Sequence, residues 1–237
     1  LVVHVAGESV IADPGRGRYT KAYFGPARYD HIVNSSLGHA VPVPNGQAQL
    51  PGQDHRAILL DHLVAGVDSA GGGRGAGGGG AGGGGAGAGE RAGEDGDGAG
   101  GGGTDGSDLL RLDLAGAYPA EAGLESLVRT VVLHRDTPGG WVELTDEPTF
   151  AAPGEFETVL VTLGSAQVDG SSVLLRQGRG ALRVGFDPAV VSARVETVKD
   201  VDFPHGTADL RRVVFASPGP VLSASVRLRI EPVDTHS

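Results

Sequence analysis

The chain has 237 residues, 42 of them Gly, with no Cys, no Met, a single Trp and a formal net charge of −10. The absence of Cys excludes a disulfide scaffold and any zinc site built on thiolates, and the acidic balance, with no long basic and aromatic patch, excludes a nucleic-acid-binding protein. The glycines are not evenly spread: 22 of the 42 lie between Ala70 and Gly106, so the rest of the chain has the composition of an ordinary domain with one sizeable core.

The chain opens on a strand-like run, Leu1-Val-Val-His-Val5, with no charged leader and no apolar stretch long enough to span a membrane. Leu1 is not an initiator residue, so the start reads as internal to a longer chain. The densest group of chemically useful residues follows, between Glu8 and Gln49. Asp13-Pro14-Gly15 reads as the end of a strand at a rim, and His39 is expected to open another strand. An Asp carboxylate and a neutral imidazole are compatible zinc ligands, with further donors required; the same residues also read as a turn cap and a hydrogen-bonded rim residue. Arg16, Arg18, Lys21 and Arg28 place four cations in thirteen residues beside Tyr19, Tyr23 and Tyr29. Such cations can steer an anionic polymer or lower the pKa of a neighbouring phenol, and a solvated loop with rim-packed tyrosines fits the same pattern. Residues 1–67 form the first part of the expected domain. A weak helical period runs through Ala57–Val67, where a strand is also expected.

Residues 68–108 are a Gly-rich insert that carries seven acids against Arg74 and Arg91, half of the net charge. It lacks the apolar groups that would offset ordering entropy, so it is expected to be a disordered loop. The strands on its two sides, near Ile58–Val67 and Leu109–Leu114, are candidates for neighbours in one sheet.

Residues 109–237 read as a series of short strands. Ser126–His134 and Trp141–Thr145 flank Pro138-Gly139-Gly140 and form an expected hairpin. Within it, Arg129 is expected to pair with an acid such as Asp146. Further strands are expected at 157–163, 172–176, 181–186, 191–198, 210–215 and 222–230. In the last of these, Leu222, Ala224, Val226, Leu228 and Ile230 share one face and Ser223, Ser225, Arg227 and Arg229 the other, the alternation of a half-buried antiparallel strand. Gly15-Arg-Gly-Arg18 and Gly178-Arg-Gly180 resemble phosphate loops only in composition and read as turns. Many short strands separated by Gly and Pro turns predict an all-β antiparallel sandwich.

The run Gly7-Glu8, Ala12-Asp13-Pro14-Gly15, Tyr19, Tyr29, Ser35-Ser36-Leu37-Gly38-His39 and Asn45-Gly46-Gln47 resembles the C-terminal β-sandwich domain of the heparinase II/III-like polysaccharide lyases. The progression Asp113, Tyr118, Arg129, Arg135 and Asp146-Glu147 is similar to that family too. The resemblance implies β-elimination on a uronate-containing acidic polysaccharide, with the substrate between the sandwich and an upstream α/α toroid. It implies Asp13 and His39 as zinc ligands whose missing partner and catalytic His lie before Leu1; Tyr29 and Tyr19 are then the candidate substrate or proton-transfer residues on the sandwich side, and Arg16, Arg18 and Arg28, by their place in the sequence, the candidate substrate-binding cations. Ala40 departs from the family's pattern, which usually has Asn there. A periplasmic, cell-envelope or extracellular location is also implied. The alternative is a sandwich that binds glycan, or supports another domain, without catalysis.

Overall fold

A computed structural model describes residues 1–19, 24–65 and 106–233. Lys21, Tyr23 and residues 66–105, which hold all but the last three positions of the Gly-rich insert, lie outside the described residues.

The alternating runs of the sequence become strands because one side of each is apolar and can be buried against another layer. They are β1 (Val3–Val5), β2 (Glu8–Ile11), β3 (Val43–Pro44), β4 (Ile58–Leu63), β5 (Asp108–Asp113), β6 (Leu124–His134), β7 (Trp141–Gly154) and β8 (Phe156–Thr162). After these come β9 (Ser165–Asp169), β10 (Ser172–Gln177), β11 (Gly180–Phe186), β12 (Ser192–Phe203), β13 (Gly206–Ala216), β14 (Val221–Ser223) and β15 (Val226–Pro232). The described residues contain no α-helix, only short 3-10 turns. One sheet has the order β4-β5-β6-β7-β15-β11-β10-β9, with β14 also on β7, and a smaller one has the order β12-β13-β8-β3; β1 and β2 form a separate hairpin. Every pairing is antiparallel. The architecture is the expected all-β sandwich.

The main core lies between the two sheets, with Leu127, Leu144, Leu182 and Leu228 from the large sheet meeting Phe156, Leu160, Val213 and Phe215 from the small one. A second core lies on the other face of the small sheet. There Val159, Val161, Leu210 and Val214 pack against Val33, with Ile32 and Leu37 at its margin. Strand β8 is therefore buried on both faces, and the segment that follows β2 serves as the cover of the small sheet.

Three expectations meet differences. The strands on either side of the insert do pair, with Leu59 opposite Leu112 and His62 opposite Leu110. The weak helical period there is not realised: pairing with β5 holds Ile58–Leu63 extended. His39 opens no strand; it follows a 3-10 turn at Ser36–Gly38. Gly38 permits that turn, since a Cβ there would sit 2.2 Å from the Ile32 carbonyl oxygen, and Pro42 and Pro44, without N–H donors, restrict the strand that follows to two residues. The run 222–230 is broken into β14 and β15. Val226, Leu228 and Ile230 face inward as expected, but a register irregularity between Val221 and Ser223 leaves Leu222 57% exposed.

Candidate functional site

The residues between β2 and β3 have almost no ladder of their own, so their position depends on turns and side-chain bonds. Asp13 lies two residues beyond β2. Its Oδ1 accepts from the Gly15 N–H at 2.7 Å in an Asx turn, and Gly15 supplies the φ of 69° that the turn needs. Its Oδ2 lies 3.3 Å from His39 Nδ1, across a separation of 26 residues. The other ring nitrogen of His39, Nε2, lies 3.1 Å from the Val33 carbonyl oxygen. A carbonyl only accepts, so Nε2 carries the proton, and a neutral ring then turns its Nδ1 lone pair toward the carboxylate. A proton or a metal ion between the two makes that approach attractive. One carboxylate oxygen and one imidazole nitrogen suit zinc in donor type; no third His, Asp or Glu joins them among the described residues.

His39 also forms part of the wall of a pocket of about 340 Å³, together with Tyr29, Asn34, Ser35, Ser36 and Gln49. Tyr29 comes from the 3-10 turn Pro26–Asp30 and is 45% exposed. The turn is pinned by Asn34, whose Nδ2 donates to the Arg28 carbonyl at 2.9 Å. Ser35 caps the next turn by accepting from the Leu37 N–H, and Ser36 Oγ accepts from the Gln49 N–H at 2.8 Å. The lining thus combines a phenol, an imidazole, hydroxyls and amides. The Arg28 guanidinium lies over the Tyr29 ring, 5.4 Å from its centroid.

Of the other sequence candidates, Tyr19 is exposed, with the Arg16 guanidinium 4.1 Å over its ring and Phe24 at 5.2 Å between ring centroids. Arg18 donates its backbone N–H to the Asp202 carbonyl at the end of β12. None of Tyr19, Arg16 and Arg18 lines the pocket. The structure therefore brings Tyr29 and His39 to one pocket, with Asp13 against His39 and Arg28 against Tyr29, and holds Tyr19 and Arg16 in a cluster of their own.

Beneath the site sits a buried polar network. Arg129 on β6 makes a two-pronged pair with Asp146 on β7, Nε to Oδ1 and Nη2 to Oδ2, both at 2.7 Å. This is the pairing expected from the sequence. Asp146 Oδ2 also accepts from Thr158 Oγ1 of the opposing sheet at 2.8 Å. The third Arg129 donor, Nη1, reaches the Ala40 carbonyl at 2.7 Å, and Tyr118 Oη donates to the Pro42 carbonyl at 2.6 Å. Burial disfavours the charged guanidinium, but the Asp146 carboxylate opposes this and holds the Arg129 pKa above its ordinary value. Burial likewise pushes the Tyr118 phenol well above its usual range. Sequence reasoning did not single out Gln49, Ser36 or the contact to Ala40. Ser36 lay within the quoted run before His39, but no local pattern points to the other two.

No protein-family model and no curated protein matches the chain. Solved structures do match in fold. The chain is similar to the heparan sulfate lyase HepC from Pedobacter heparinus at 12% identity, with a TM-score of 0.64 over 100% of this chain and 30% of that one. It is also similar to a heparinase III at 13% identity, TM-score 0.60, over 97% of this chain and 28% of that one. A heparinase III gene product with methylated lysines gives 11% identity, TM-score 0.61, and 98% and 29% coverage. These likenesses show a shared fold, and the chain spans about 30% of the length of the structures it matches. No helix among the described residues is long and apolar enough to cross a membrane.

Proposed function

We propose that the chain is the β-sandwich part of a polysaccharide lyase that cleaves a uronate-containing acidic polysaccharide by β-elimination. The observation that carries this reading is the meeting of Tyr29 and His39 on one pocket, with Asp13 behind the imidazole, in a fold shared with solved heparan sulfate lyase and heparinase III structures. In the reaction a base takes the C5 proton of the uronate, the C5 electron pair forms the C4=C5 double bond, and the C4–O bond breaks as the leaving oxygen gains a proton. The carboxylate next to C5 must be neutralised for the proton to leave.

In this reading Tyr29 moves a proton at the pocket, and Tyr19 is the second candidate for that role. Arg28, beside Tyr29, and Arg16 and Arg18, farther along the same segment, attract the anionic polymer. Asp13 and His39 would hold a structural zinc ion with donors supplied from outside the described residues. An α/α toroid preceding the sandwich would supply the other side of the substrate cleft, and the polymer substrate implies the periplasm, the cell envelope or the exterior.

The test is ultraviolet absorbance of the new double bond when the protein, produced from its full reading frame, is given a panel of uronate polymers. Absorbance should rise with at least one polymer, and Tyr29→Phe should lower the rate by about 10²-fold or more. No rise with any polymer, or an unchanged rate in Tyr29→Phe, would overturn the reading for the enzyme or for that residue respectively. Polymer binding without any absorbance change would instead favour a non-catalytic glycan-binding sandwich.

A further inference from the structure

We infer that Arg129, held by Asp146, is a positioning residue for His39, acting through the peptide that follows the imidazole; the consequence for catalysis rests on the lyase reading above. The inference begins with what a buried ion pair does and does not supply. Arg129 and Asp146 are 5% and 0% exposed, and taking both charges out of water offsets most of the attraction between them, so apolar side chains of similar volume commonly serve stability as well or better. Apolar side chains cannot, however, donate to a carbonyl. The donor that Asp146 leaves over, Arg129 Nη1, points to the Ala40 carbonyl at 2.7 Å.

That carbonyl belongs to the residue directly after His39, in a stretch that pairs with no strand until Val43. Two residues on, Tyr118 Oη grips the Pro42 carbonyl at 2.6 Å. Tyr118 in turn accepts from Gln49 Nε2 at 3.4 Å, and Gln49 lines the same pocket as His39. On the near side, His39 is tied by its N–H to the Ser36 carbonyl, by its Nε2 to the Val33 carbonyl and by its Nδ1 to Asp13, all within the segment between β2 and β3. Arg129 and Tyr118 therefore link the His39 segment to the rigid sheets, and Thr158 fixes Asp146 from the opposing layer. A guanidinium that both pairs with a carboxylate through two prongs and reaches a carbonyl with the third nitrogen cannot be replaced by a lysine, which lacks the fork.

The experiment uses the protein produced from its full reading frame, in which Arg129→Met with Asp146→Leu replaces the pair by apolar groups, and Arg129→Lys keeps the charge but loses the fork. Amide hydrogen exchange is read residue by residue, with the imidazole nitrogen shifts of His39 read by NMR. The expected result is exchange at least about tenfold faster for Gly38, His39 and Val41 in both variants, a changed His39 nitrogen spectrum, and unchanged exchange in β8 and β13. A merely structural role predicts something else: exchange that rises in proportion across the strands, or no change anywhere, and either result would overturn the inference. Should the double variant fail to fold, the same comparison on Arg129→Lys decides. The readout needs no turnover, so failure of the lyase reading would show as no activity in the protein from its full reading frame, while the exchange pattern still reports on positioning. If the wild type is active, Arg129→Lys should lower kcat with little change in thermal midpoint.

Discussion

The two-sheet body and the segment between β2 and β3 are built by different means. In the body, backbone groups satisfy one another along ladders such as β12–β13 and β6–β7, and side chains are left to fill the space between layers. Among the described residues of 12–42 the turns satisfy some backbone groups, and side chains from elsewhere satisfy others: Arg129 for the Ala40 carbonyl and Tyr118 for Pro42. The difference teaches where chemistry can sit. A ladder fixes every peptide and leaves little choice of side-chain direction, whereas a segment held at a few points can turn an imidazole and a phenol toward one pocket.

The sharpest way to break this contrast is to remove a member of each region and compare. In the body, Phe215→Ala should cost about 3–5 kcal/mol by urea denaturation, because Phe215 is fully buried between the sheets. Asp146→Ala should cost a similar amount, about 3–5 kcal/mol, by leaving the Arg129 charge buried without its partner. In the cover segment, Val33→Ala should cost only about 2 kcal/mol, since it shortens a small side chain while Ile32 and Leu37 still pack at the margin of the second core. A loss as large as that of Phe215→Ala would mean that the segment belongs to the same cooperative layer as the sheets.

Tyr118→Phe should cost about 1 kcal/mol by leaving the Pro42 carbonyl without its donor. It should also change the alkaline limb of stability. The folded phenol has a raised pKa, so its contribution is complete below the ordinary tyrosine value near ~10 and is lost as pH rises beyond it toward the folded value. Denaturation midpoints measured across that range should fall less steeply in Tyr118→Phe than in the wild type. The smallest effect on stability belongs to Tyr29→Phe, within about 0.5 kcal/mol, because the ring is half exposed. An effect on lyase rate with so little effect on stability would set the pocket apart from the body that carries it.

Much of the body was legible in the sequence. Alternation marked β15 from Val226 to Ile230, the Pro-Gly-Gly turn marked the β6–β7 hairpin, and an arginine on β6 anticipated its pairing with Asp146. Leu222 was misplaced because alternation assumes an unbroken strand, and the irregularity opposite Gly154 has no local signature. The site was legible only as a set of residue types. Spacing brought out Asp13 and His39 as donors, and family resemblance joined them; neither indicated that Tyr29 would share the pocket while Tyr19 would sit with Arg16 and Phe24.

By itself, then, the sequence determined the layer architecture, because a period of two is a local property that burial of one face turns directly into sheets. Only the tertiary structure decided that Asp13 and His39 meet at 3.3 Å and that the peptide after His39 is gripped from below. The second placement depends on a long-range bond to a carbonyl group, and every residue in the chain carries the same carbonyl, so no letter of the sequence distinguishes the one that Arg129 will find.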